Sequence, residues 1–148
     1  MSESFRQIVR IGEVDMDGSN VILQELTKIK GIGHTVARAI LRKAGIPEKL
    51  RVGLLSDAQI ERLEKLIKNP DVCLPSYMRN RRKDRETGQD LHLVGSDLTL
   101  QVKRDIEFEV KIKSWRGIRH KLGLKVRGQR TKTTGRKGVT IGVKRKKK

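Results

Sequence analysis

Arg116, Arg119, Arg127, Arg130 and Arg136 lie along the last third of the chain, with glycine in the intervals between them. A guanidinium is a planar cation that forks onto two oxygens of a phosphate or carboxylate and stacks on exposed bases. Glycines 117, 123, 128, 135 and 138 let the backbone turn sharply and lie close against a partner. Thr131, Thr133 and Thr134 add small hydroxyl donors, and His120 can donate to a phosphate or stack, although a lone surface histidine is more often without a task. The chemistry on offer is recognition of anions, with nothing that makes or breaks a bond.

The placement of charge says the same. Residues 1–110 hold 19 Lys+Arg and 17 Asp+Glu, a net of +2, whereas residues 111–148 hold 16 Lys+Arg and no acid. The formal +18 is thus concentrated in an arm, and a basic arm is read as a polyanion binder. A membrane surface calls for a basic amphipathic helix with apolar anchors, but from Gly123 onward apolar residues are sparse and glycine recurs. Nucleic acid fits better, because dense phosphates release counterions as cations replace them. A solvated, featureless tail is the bland alternative. Ile118, Leu122, Leu124 and Val126, interspersed among the cations, argue for a specified path instead.

Catalysis finds no foothold. One cysteine, Cys73, and three scattered histidines, His34, His92 and His120, give no metal-ligand spacing, and no metal or cofactor is expected. There is no phosphate-binding loop of the nucleotidase kind and no serine in a strained elbow. Glu107 and Glu109, two apart, would not share a helix face. The lone cysteine suits a reducing compartment, and MSESFRQIVR has no basic-then-apolar leader pattern, so a cytoplasmic protein without a membrane partner is expected.

The elements that would position these cations can be sketched. An apolar–polar segment, Ile8 to Val14, precedes the turn signal DMDGSN. Ile22, Leu26 and Ile29 then form a helix face; Val36, Ile40 and Leu41 form a second, closed by Gly45 and Pro47. A third helix starts at Ser56, whose spacing to Gln59 is that of a capping box, carries Ile60, Leu63 and Ile67, and stops at Asn69-Pro70. The polar run RNRRKDRETGQD, between VCLPSYM and LHLV, predicts a short β-hairpin over 76–95 with a charged tip. In 97–122, Ile106, Phe108, Val110 and Ile112 alternate as in a strand, while Leu98, Val102, Ile106 and Val110 recur as in a helix; periodicity leaves both open. Residues 123–148 can hardly fold alone; fully extended they would reach ~85 Å.

Between the first two helices stands Gly31-Ile32-Gly33, flanked by Lys28 and Lys30. Glycines permit a tight turn, and the unbonded amides that begin the next helix form an anion site. This is the layout of a helix-hairpin-helix, which grips phosphate backbone without reading bases; a plain corner between helices is the competing reading. A dinucleotide fingerprint is a poor rival, since its third small position is filled by Val36. The cluster RNRRKDR at 79–85 is as readily a solvated tip as a contact, because Asp84 and Glu86 dilute its charge.

LTKIKGIGHTVARAILRKAGI, LSDAQIERLEKLI and RGIRHKLGLKVRGQRTKTTGRKG together resemble the small-subunit ribosomal protein thirteen family, over nearly the whole chain. Residues 71–96 and the ending TTGRKG resemble its archaeal and eukaryotic branch, and the short ending an archaeal source. The resemblance implies a mainly α fold: a helical RNA-binding domain (1–70), an inserted β-hairpin (71–96), a long helix (97–122) and an extended basic tail (123–148). It resolves 97–121 as helix. It implies a non-enzymatic ribosomal constituent at the head of the small subunit. The implied partners are 16S-type rRNA, small-subunit protein nineteen, large-subunit rRNA, large-subunit protein five and P-site tRNA. By motif match it implies rRNA contacts at Lys28, Lys30, Gly31, Gly33, Arg116, Arg119, His120, Lys125, Arg127, Gln129, Arg130, Lys132, Thr133, Arg136 and Lys137. Lys144, Arg145, Lys146, Lys147 and Lys148 would face tRNA. On the residues alone, a DNA-binding or DNA-repair accessory protein is the rival class, since charge does not separate RNA from DNA.

Overall fold

The computed structural model describes residues 5–134, which fall into two compact units divided between Leu100 and Gln101. The fold is mainly helical, as the sequence predicts, and no helix among the described residues is long and apolar enough to cross a membrane.

The first unit opens with two antiparallel strands, β1 (Ile8–Ile11) and β2 (Val14–Asp17), in a register that pairs Val9 with Met16 and Ile11 with Val14. Val9, Ile11 and Met16 face the core. The sequence predicts one segment over 8–14 and a turn over 15–20. The turn is in fact at Gly12-Glu13, where Gly12 takes the left-handed φ of +63°. The chain then passes into a short helix, α1 (Ile22–Leu26), which loosens into successive turns so that Ile29 and Ile32 continue its buried face.

Helix α2 (His34–Ala44) buries Val36, Ala37, Ile40 and Leu41. It ends as its glycine predicts: Gly45 is left-handed (φ +72°), and the Gly45 and Ile46 amides return to the Arg42 and Leu41 carbonyls. Helix α3 (Asp57–Lys68) begins with the predicted capping box, Ser56 and Gln59 each bonding the other's amide, and buries Leu63 and Ile67. With Val52, Leu55 and Leu74 these residues form one core.

From Pro70 to Val94 the chain makes two short 3₁₀ turns, then doubles back on itself. The predicted hairpin is reduced here to one antiparallel pair, Arg81 with Leu91, closed by the turn Asp84–Gly88. Side chains do what a longer ladder would have done. Arg79 donates to the carbonyls of Asp71, Leu74 and Asp90, and the Asn80 amide group bonds both backbone atoms of Leu93.

Helix α4 (Gly95–Lys111) carries the chain into the second unit, where α5 (Trp115–Lys121) follows. The segment whose periodicity was ambiguous is therefore helical, but the expected continuous helix over 97–121 is broken at 112–114. The break has a specific cause. Lys113 takes φ +53°, and the Lys113 and Ser114 amides bond back to Val110 and Glu109, which closes α4. Ser114 then caps α5, its Oγ accepting from the Gly117 amide at 3.0 Å and donating to Glu109 Oε2 at 2.6 Å.

Candidate nucleic-acid interface

The GIG turn has the predicted geometry. Ile32 is buried and pins the turn, while Gly31 is left-handed with φ +93°. Gly33 is the extended N-cap of α2 without a side-chain cap, and a Cβ there would meet open space. Among the described residues no acceptor takes the Gly33, His34 or Thr35 amides, and all three residues are exposed. Three donors thus converge at the positive end of an 11-residue helix, the arrangement that suits a phosphate.

Lys30 is exposed beside the turn, but Lys28 is engaged: its Nζ sits 2.7 Å from Glu25 Oε2. Glu25 is buried at 2% exposure and also accepts from the Asp17 amide and Asn20 Nδ2. Burial would raise this carboxyl; the bonds from Lys28, Asn20 and Asp17 and the Lys28 charge outweigh it, so its pKa lies below the ordinary value. Lys28 therefore brings to the turn a cation already partly offset by a carboxylate.

The other side of the turn is covered. His92, 6% exposed, points Nε2 at the Gly31 carbonyl (3.0 Å), and Gly95 donates to the Lys30 carbonyl (2.8 Å). A Cβ on Gly31 would lie 2.5 Å from the Leu93 carbonyl, so glycine is required there twice over, by φ and by space. Burial lowers the pKa of His92; the Gly31 bond and Asp71 act upward, and Arg79 downward.

In the second unit, α5 and its end set the start of the arm. Gly123, left-handed at φ +67°, and Leu124 return their amides to His120 and Arg119, closing α5. Arg119 lies over the Trp115 ring at 5.6 Å and donates to the Lys125 carbonyl at 2.9 Å. It is thus occupied in folding the root of the arm. His120 is half-buried, while Arg116, Lys125, Arg127, Gln129, Arg130, Lys132 and Thr133 are exposed. Residues 124–134 form neither helix nor strand, and Gly128 turns them at φ +70°. Arg136, Lys137 and Lys144 to Lys148 lie outside the described residues.

The basic cluster at 79–85 divides into two roles the sequence could not separate. Arg79 and Arg81 hold the loop, Arg81 against Asp84. That bond, against partial burial and with help from Thr87, holds the Asp84 carboxyl down at about 2. Arg82 and Lys83 face solvent. Sequence reasoning also passed over His92, Glu25 and Ser114. Ser114, just before WRGIRH, carries a legible N-cap signal; His92 acts on a residue 61 positions away and carries none.

Comparison with known proteins converges on one family. Residues 10–137 match the model described as ribosomal protein S13/S18. The chain is 53% identical to the small ribosomal subunit protein uS13 of Staphylothermus marinus, over 99% of this chain and 98% of that one. It is 56% identical to that of Hyperthermus butylicus (99% and 97%) and 54% to that of Saccharolobus solfataricus (99% and 90%). With a match of this extent, and archaeal relatives identical at more than half of their positions, the chain belongs to the ribosomal protein S13/S18 family, the non-enzymatic structural components of the small ribosomal subunit.

Proposed function

We propose that the protein binds small-subunit rRNA at two places, gripping phosphate through the amides at Gly33, His34 and Thr35 and neutralising it along the arm from Arg116 onward. The observation that carries this reading is the composition of the arm: residues 111–148 hold 16 Lys+Arg and no Asp or Glu. Arg116, Arg127 and Arg130, exposed among the described residues, are the phosphate ligands, with Lys125, Gln129, Lys132 and Thr133 beside them. Lys30 adds charge at the turn; His120 and Arg119 set the angle at which the arm leaves α5. Arg136 and Lys137 continue the rRNA contact, and Lys144 to Lys148 face P-site tRNA. Family membership supports the wider arrangement at the head of the subunit, beside small-subunit protein nineteen and bridging to large-subunit rRNA and large-subunit protein five.

The test is binding of the full chain to a transcript of the small-subunit rRNA head domain across a salt series. Arg130→Ala is expected to weaken binding and to reduce the log–log salt slope by about 0.7–0.9, the loss of one phosphate contact. His34→Pro is the matching probe of the turn. Proline is tolerated as the first residue of a helix, and the extended Gly33 before it suits that change, so the variant removes one amide donor and spares the helix. An unchanged slope in Arg130→Ala, or equal affinity of the wild type for duplex DNA, would count against the reading.

A further inference from the structure

We propose that His92 is a positioning residue for the GIG turn: its neutral ring ties the inserted segment to the Gly31 carbonyl and thereby fixes the peptide planes that aim the Gly33, His34 and Thr35 amides at phosphate. The inference rests on the reading of the turn as a phosphate grip. Left to itself the turn is poorly held. Gly31 has no side chain, and the carbonyls of Lys30 and Gly31 have no place in a helix ladder. The inserted segment takes both, Gly95 at 2.8 Å and His92 Nε2 at 3.0 Å. The backbone of Leu93 and Val94 fills the space a Gly31 side chain would need. Holding the Gly31 carbonyl holds the whole 31–32 peptide, whose amide closes onto Ile29 at 3.1 Å, and the next peptide presents the first free donor.

The ring is itself held. Nδ1 accepts the Asn80 amide at 3.3 Å, and the Asn80 side chain bonds Leu93 at 2.8 and 2.9 Å. The two ring bonds call for one form, Nε2–H with a free lone pair on Nδ1. A second proton would set an N–H against the Asn80 N–H. The charged groups facing the ring, Asp71 and Arg79, are of opposite sign and bridged to each other at 3.4 Å, so neither imposes a charge on it. A buried ring must have its nitrogens bonded; here the partners they find are the Asn80 amide on one side and the Gly31 carbonyl of the turn on the other.

The proposal is tested on the full chain with H92L, which keeps volume and loses both bonds, and H92Q, which can supply a donor and an acceptor. In amide correlation spectra of the free protein, H92L is expected to move the Gly31 to Thr35 resonances and leave those of α3 in place. Binding to the head-domain transcript should fall about 5–10-fold in H92L, the worth of one misdirected hydrogen bond, and recover in H92Q. In the H34P background the loss should shrink to under about 2-fold, because the two changes act on one grip. Unmoved Gly33 to Thr35 resonances in H92L, equal losses in both backgrounds, or no recovery in H92Q would overturn the assignment. If H34P weakens binding and H92L does not, the His92 assignment alone fails; if H34P binds as wild type, the phosphate reading of the turn fails. Should H92L not fold, ring nitrogen shifts of the wild type decide, since Nδ1–H in place of Nε2–H contradicts the arrangement.

Discussion

The two units obtain their shape by different means. In residues 1–100, seventeen apolar side chains from Val9 to Leu74 are buried together, and the helices and strands are arranged by what they exclude from water. In the described part of 101–148 the one buried residue is Gly117, while Ile112, Trp115 and Leu122 are more than half exposed. There the chain is shaped by hydrogen-bonded corners: the closed end of α4, the Ser114 cap and the Gly123 terminus. Charge divides in the same way. Asp57, Glu48, Asp84 and Glu25 meet Arg6, Arg38, Arg81 and Lys28 at 2.5–3.0 Å in the first unit, whereas residues 111–148 have no acid to offer their cations. One unit is organised by an apolar core and internal ion pairs; the other is rich in cations and, among its described residues, buries no apolar side chain.

This contrast can be broken most forcefully by cavity formation. Leu26→Ala, at a position with no exposed surface, is expected to cost about 2–5 kcal/mol in denaturant unfolding, against about 0.5 kcal/mol or less for Leu122→Ala. Comparable costs would show that α5 has a core of its own. Next comes Glu25→Gln, expected to cost about 1–3 kcal/mol near neutral pH, because Lys28, Asn20 and Asp17 lose a charged acceptor. The sign follows from the lowered pKa. Glu25 contributes stability that is present above the unfolded value, ~4.3, and is lost as pH falls through the folded value, so the variant should show a flatter acid limb in a melting series. The smallest effect is expected from Lys113→Gly, which relieves the left-handed lysine against glycine's greater freedom when unfolded, a net gain of about 0.5 kcal/mol. Slower hydrogen exchange at the Ser114 amide would register it, and first-unit unfolding should not change.

What could be read in the sequence was what is decided locally. Ser56 with Gln59, Gly45, the GIG turn and the apolar spacing of α2 and α3 each carry their signal within a few residues, and all are found as predicted. The strand pair was missed because Asp15 and Asp17 look like turn formers; only pairing with β1 shows that they flank an inward Met16. The insert was legible as a reversal but not as a scaffold, since Arg79, Asn80 and His92 act on backbone groups 5 to 61 positions distant. The break in the long helix had its signals in view, a serine three residues before a glycine. The continuous helix that the family resemblance implies takes no account of them. For the candidate site, residue types were legible while their commitments were not: Lys28 and Arg119 read as free cations and are partly spent inside the fold.

Gly117 has a consequence for how this molecule can vary. A single methyl group there would lie 2.0 Å from the Glu109 carbonyl oxygen, a backbone atom that cannot swing aside. At this one position of the corner between α4 and α5, then, even the smallest side chain is excluded unless the end of α4 moves. Length and charge beyond the corner are free of that constraint, while the join itself is fixed by the absence of a single carbon.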